Sequence, residues 1–306
     1  MTPSASIAER QNASSALREA RAFRRRYAIA RRWRTLRVGV GLLLGTAGIV
    51  LAFAVHGATD WVAASAGAWA LLSRTWLIRE EQRSQDRGAR AQEMFDVGLF
   101  DLPWNEGLAG ERPALEDILN WGRRQRDDGL RNWYPDVSAA RPPMDALICQ
   151  RASLTWARQD HSTYARILRG ALTAAFVATV VIGVATHVSL GEYVLRLGLP
   201  VLPATLDLLD IAGANEELSR SRGRLERAAD RVIDEARASA TLPTVGRCRA
   251  IQDELYSSRR VAGVPGWLYR LTQRGRQTNM ESAALALVAS LPSALRTDKT
   301  AVPEDL

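Results

Sequence analysis

Val38 to Thr59 and Gly170 to Gly191 contain no aspartate, glutamate, arginine or lysine, and each leads through a very short polar break into a second apolar run. The followers are Trp61 to Ser73 and the more polar Tyr193 to Ile211. A helix rises about 1.5 Å per residue, so roughly 20 residues cross the hydrocarbon core of a bilayer. Buried core helices of soluble proteins seldom run about 22 residues without a charge. The expected fold is an all-α integral membrane protein, with four transmembrane helices in two hairpins plus a helical cytoplasmic domain.

The charge distribution supplies the orientation. The 306 residues carry a formal net charge of +8, and 47% are hydrophobic. A mean hydropathy of −0.15 is ordinary only because polar segments offset the apolar runs. All basic residues except Lys299 are arginine, and they crowd the span ends. Arg24, Arg25, Arg26, Arg31, Arg32, Arg34 and Arg37 precede the first span, and Arg79, Arg83, Arg87 and Arg90 follow the second. Arg166 and Arg169 lead into the third, and Arg220, Arg222, Arg224 and Arg227 follow the fourth. The hairpin tips, His56 to Asp60 and Ser189 to Glu192, have none. The positive-inside rule then puts both termini and the middle segment in the cytoplasm of a multi-pass inner-membrane protein. Basicity placed at span ends gives no reason to expect DNA or RNA binding.

The domain plan follows. Residues 1–37 form a basic cytoplasmic N-terminal helix, which either lies on the inner membrane surface or is an ordinary orienting flank. Residues 38–78 are the first hairpin, 79–169 a cytoplasmic helical segment and 170–211 the second hairpin. Residues 212–306 supply C-terminal helices and, from Pro292, a disordered tail. Pro113, followed by Glu116 and Asp117, opens a helix expected to end near Gly129. Leu218, Leu225, Ala229, Val232 and Ala236 form a weak seam, for an oligomer or for packing on neighbouring helices.

Within the spans, Gly41, Gly45, Gly48 and Ala52 share one stripe, as do Ala175, Thr179, Gly183 and Thr186, which lets helix backbones approach closely in lipid. In the fourth span Glu192, Arg196, Pro200, Pro203, Asp207 and Asp210 fall on one face. Lipid satisfies neither these charges nor the carbonyls that the prolines free. One reading makes Arg196, Pro200, Pro203, Asp207 and Asp210 a pore lining. The other puts the charges at the membrane interfaces and has the prolines bend a packed helix.

Outside the spans, aromatic, amide and arginine residues form recurring words. Gln92-Glu93-Met94-Phe95-Asp96 runs into Leu102-Pro103-Trp104-Asn105. Asn132-Trp133-Tyr134-Pro135 and Cys149-Gln150-Arg151-Ala152 with Trp156 follow. Arg249-Ala250-Ile251-Gln252-Asp253-Glu254, Arg259, Pro265, Trp267 and Tyr269 come near the end. From about Arg37 to Leu287 this order resembles the bacterial SMODS-associating four-transmembrane family of pore-forming effectors. The sequence departs from the family pattern after Cys149-Gln150-Arg151, where an asparagine and a Trp-Asp pair are expected, and at Gly266, where an aspartate often stands. The resemblance implies a CBASS anti-phage effector, functionally paired with a cyclic-oligonucleotide synthase. It would permeabilise the inner membrane and kill or arrest the infected cell, as a homo-oligomer in the lipid bilayer.

A cyclic oligonucleotide is then the expected ligand, with no other cofactor. Indole and phenol rings stack on bases and arginines grip phosphates, so Trp104, Asn105, Arg123, Arg124, Arg126, Trp133, Tyr134 and Arg151 are the candidate binding set. The same tryptophans could equally fill a helical core. Two other classes stay open: a small channel or transporter with a cation at Asp207 and Asp210, and a non-conducting anchor for a partner protein. Cys149, Cys248 and the scattered His56, His161 and His187 make no metal spacing, and no catalytic residues or cofactor loop can be assembled, so an enzyme is not expected.

Overall fold

The computed structural model describes residues 5–54, 59–261 and 263–297, and among these the chain is helical, with one isolated bridge between Ala140 and Arg296. The first hairpin's tip lies largely outside the described residues. Short α1 (Ile7–Arg10) is closed by a reciprocal Ser6–Glu9 capping box and precedes α2 (Ser14–Ala54). Helix α3 (Thr59–Leu72) continues through a π-helical turn, Ser73–Leu77, into α4 (Ile78–Phe100). After short α5 (Glu106–Ala109) and α6 (Leu115–Gly122) comes α7 (Met144–Ala185). Helix α8 (Leu190–Tyr193) passes through a second π-helical turn, Val194–Gly198, into α9 (Leu199–Ser239). Helices α10 (Val245–Arg259) and α11 (Gly266–Ala289) and a 3-10 turn, Ser293–Leu295, complete the chain.

Helices α2, through Leu51, and α7 are long and apolar enough to cross a membrane. The second member of each pair is interrupted by charge, at Arg74 and at Arg196, Asp207 and Asp210. At 41 residues, α2 is about 60 Å long, roughly twice a hydrocarbon core. Its arginine-rich first half and apolar second half are therefore one helix, because arginine and alanine continue a helix as readily as leucine does.

The residues fall into two compact units. One comprises residues 28–84 and 161–217. Its apolar side chains face outward: Leu43 and Phe176 are each 66% exposed, Val184 71%, and only 11% of the α7 span is buried. Its interior is built on the small-residue stripe of α2. A Cβ on Gly45 would stand 3.1 Å from the Pro200 carbonyl oxygen, and one on Gly48 would stand 2.7 Å from Val62 and 2.9 Å from Pro200. The stripe thus packs α2 on α9 within one chain. The second stripe seats Tyr193, whose hydroxyl lies 3.0 Å from that of Thr179 and whose ring fills the space beside Gly183.

The other unit comprises residues 1–27, 85–160 and 218–306. Its core includes Phe23, Phe95, Leu130, Tyr134, Met144, Leu147, Ile233 and Leu255. Ile7, Leu17 and Phe23 belong to this core, so the N-terminal segment spends its apolar residues on protein packing and has none of these left for a lipid surface. Leu218, Ala229 and Ala236 are buried against neighbouring helices as well. Helix α6 stops at Gly122, seven residues before the expected end at Gly129. A Cβ at Gly122 would meet Arg21 at 3.1 Å, and the loop beyond is tied by Arg21 to Asp127 and by Arg24 to the Asp128 and Gly129 carbonyls. Pro292 to Thr297 depart from the expected disordered tail: Leu291 and Leu295 are buried, and the Thr297 amide donates to the Ala139 carbonyl at 3.0 Å; the rest of that tail lies outside the described residues.

Candidate functional site

Residues from several of the recurring words meet in one buried polar network of the unit formed by residues 1–27, 85–160 and 218–306. Helix α4 supplies Glu93 and Asp96, which are 1% and 0% exposed. Asp96 accepts from the Tyr134 hydroxyl at 2.7 Å, from Arg259 at 2.5 Å and from Gln252 at 3.1 Å. Gln252 also donates to Glu93 at 2.8 Å, and Gln150 donates to Gln252 at 3.1 Å. Arg249 donates to Glu93 at 2.5 Å, to Asp253 at 2.9 Å and to the Pro103 carbonyl at 3.0 Å. The spacing on α10 explains the gathering: Arg249, Gln252, Tyr256 and Arg259 recur at three or four residues and share a face. Burial raises the Glu93 pKa, against the opposing pull of Gln252 and Arg249. Burial is the largest influence on Arg259 and opposes its charge, but Asp96 acting together with Tyr134, Tyr27 and Glu93 outweighs it, and the pKa rises. Such a network, with its donors matched to carboxylates, fixes the relative register of α4, α7 and α10.

The candidate binding residues divide accordingly. Trp104 donates its indole N–H to the Gly110 carbonyl at 2.8 Å with Arg112 over its ring, and Asn105 caps α5 and donates to Asp253. Trp133 meets Phe23 edge-on at 5.1 Å, and Tyr134 is 3% exposed, where burial drives its phenol pKa up. Arg123, Arg124 and Arg126 are exposed on the loop after α6, away from these contacts. Arg151 lines a cavity of about 250 Å³ between α7 and α11, together with Thr155, Trp156, Gln159, Asn279 and Met280. Sequence reasoning singled out Arg151 and Trp156 but missed α11, because nothing local pairs its Asn279 face with α7. No cluster of His, Cys, Asp or Glu among the described residues is arranged to hold a metal.

In residues 28–84 and 161–217, the polar face of α9 has specific partners. Arg37 pairs with Asp207 at 2.8 Å and with Glu81 at 3.2 Å, and Arg34 pairs with Glu81 at 2.6 Å. All four side chains are at most 10% exposed. Asp210 reaches Arg74 at 3.3 Å in a half-exposed pair, and Arg196 pairs with Glu192 one turn away. Pro200 is buried against Gly45 and Gly48, and Pro203 lies inside the helix, half-buried. Sequence reasoning placed Asp207 on this face, but not its partners Arg37 and, through it, Glu81.

No solved structure matches the chain. It is 24% identical over 278 residues to a protein of Bacillus cereus (strain VD146) described as a probable CBASS effector molecule, covering 87% of this chain and 92% of that one. Neither that description nor the family's names a reaction. Residues 5–287 match the model of the SMODS-associating 4TM effector domain, and the chain belongs to that family.

Proposed function

We propose that this chain is the membrane-acting effector of a CBASS anti-phage system, which permeabilises the bacterial inner membrane when a cyclic oligonucleotide made by its partner synthase arrives. The observation that carries the reading is the inverted surface of residues 28–84 and 161–217. Apolar side chains of α2 and α7 face outward, as lipid requires, while on the charged face of α9 Asp207 is buried against Arg37 and Asp210 pairs with Arg74. Four spans, both termini in the cytoplasm and a homo-oligomer complete the proposal. In the state described, Arg196, Pro200, Pro203, Asp207 and Asp210 are engaged by neighbouring side chains or packing. A conducting path along this face requires those contacts to part. A resident cation at Asp207 and Asp210 is less well supported, because both carboxylates already face guanidinium groups.

Co-expression with the cognate synthase tests the proposal. The expected result is loss of membrane potential and arrested growth with both proteins, and normal growth with either alone. Growth arrest with the membrane potential intact would exclude permeabilisation.

A further inference from the structure

We infer that the cavity between α7 and α11 is the seat of the activating ligand and takes one base of the cyclic oligonucleotide with its adjoining phosphate. The inference rests on the reading just given. The cavity exists because Ala152, Ala283 and Ala284 leave room that larger side chains would fill. Its rim is chemically distinct from the buried network, whose Glu93 and Asp96 carboxylates are already taken by Arg249, Gln252, Tyr134 and Arg259. Arg151 donates its Nε–H to Asp230 at 2.5 Å, which fixes the guanidinium and leaves its two terminal amino groups without a hydrogen-bond acceptor among the described residues. A guanidinium held in that way presents a ready fork for phosphate oxygens. Trp156 is fixed as well, its indole N–H donated to Asp160 at 3.0 Å. The indole and the Met280 thioether give an adaptable apolar flank for a flat heterocycle. Gln159 and Asn279 are exposed and make no hydrogen bond to the described residues. Each carboxamide offers both a donor and an acceptor, the combination that reads the edge of a base.

Size narrows the occupant. About 250 Å³ lies just below the roughly 300–1,000 Å³ of pockets that enclose whole drug-sized ligands. One base with its phosphate enters, and the rest of the ring stays outside. The groove also joins α7 to α11, so an occupant contacts two helices that are far apart in sequence.

The test is binding of a panel of cyclic dinucleotides and cyclic trinucleotides to the full chain in detergent, measured by calorimetry. The parent is compared with Gln159→Leu/Asn279→Leu and with Ala283→Phe, which plugs the mouth. All three positions are exposed, so thermal melting should be unchanged. The expected result is at least about tenfold weaker binding in both variants, equivalent to about 1.4 kcal/mol, with synthase-dependent depolarisation lost in cells. Equal affinity in parent and variants would overturn this site while leaving the effector reading intact. A parent that binds none of the panel, yet still depolarises cells with its synthase, would also overturn it, because the nucleotide would then act through another protein. A parent that neither binds nor depolarises would overturn the site and the effector reading together.

Discussion

Arg259 and Arg222 are both buried guanidinium groups, at 7% and 6% exposure, yet their circumstances differ. Arg259 has Asp96 at 2.5 Å. Arg222 has a buried Nε without an acceptor among the described residues, and burial, reinforced by repulsion from Arg259, lowers its pKa to about 10. For a base depressed in this way, the favourable state is the neutral one. Its contribution to stability is present only above the unfolded pKa and is lost as pH falls through about 10. At pH 6 to 8 Arg222 is therefore a constant penalty. Arg222→Met should stabilise the chain by about 1–3 kcal/mol across that range, because it removes a buried charge whose Nε lacks an acceptor among the described residues and keeps the volume. Asp96→Asn should cost about 3–5 kcal/mol, because it strands Arg259. Thermal melts in detergent decide both, and a destabilised Arg222→Met variant would show that the guanidinium has a favourable partner after all.

At the scale of the helix, close approach rather than hydrophobicity holds α2 to α9. Gly48→Leu should disrupt it, since even a Cβ there would stand under 3 Å from Val62 and Pro200, whereas a Cβ on Gly39 would meet nothing within 4 Å beyond its own turn of helix and Gly39→Leu should be tolerated. Yield of folded protein and synthase-dependent depolarisation should both fall for the first variant only. Equal behaviour of the pair would mean that the helices separate freely. The Gly41, Gly45 and Gly48 stripe was legible in the sequence because a period of three and four is local information. So were the start of α6 after Pro113 and the break between α9 and α10. The early stop at Gly122 was not, because Arg21 and Arg24 set it from about a hundred residues away. The motif words pointed to a shared place without revealing its character. That Asp96, Gln252 and Tyr134 are a buried network depends on how α4 and α10 face each other, and no local periodicity encodes that register.

For the molecule as a whole, the same kind of non-local pairing governs the proposed change of state. Arg37 joins α2 to α9 through Asp207 and to α4 through Glu81, so three helices of the membrane-facing unit share one buried ion cluster. The sequence showed Asp207 on a polar face and left two readings, water path or packing. The structure adds a guanidinium against it, from a residue that sequence reasoning read as part of a positive flank. Two arginines and two carboxylates balance in this cluster, and removing one partner leaves an uncompensated buried charge at a cost of about 3–5 kcal/mol. If the described arrangement is the resting one, Asp207→Asn should weaken it and depolarise cells without any synthase. Asp210→Asn should not, because its pair with Arg74 is half-exposed and contributes little. Misfolding would not reproduce this specificity: Asp207→Glu keeps a carboxylate opposite Arg37 and should leave cells at normal potential. Membrane potential, followed by dye uptake in cells expressing each variant at matched levels, is the measurement. A silent Asp207→Asn variant that still responds to the synthase would reduce the cluster to packing, and the control of opening would have to lie elsewhere in the chain.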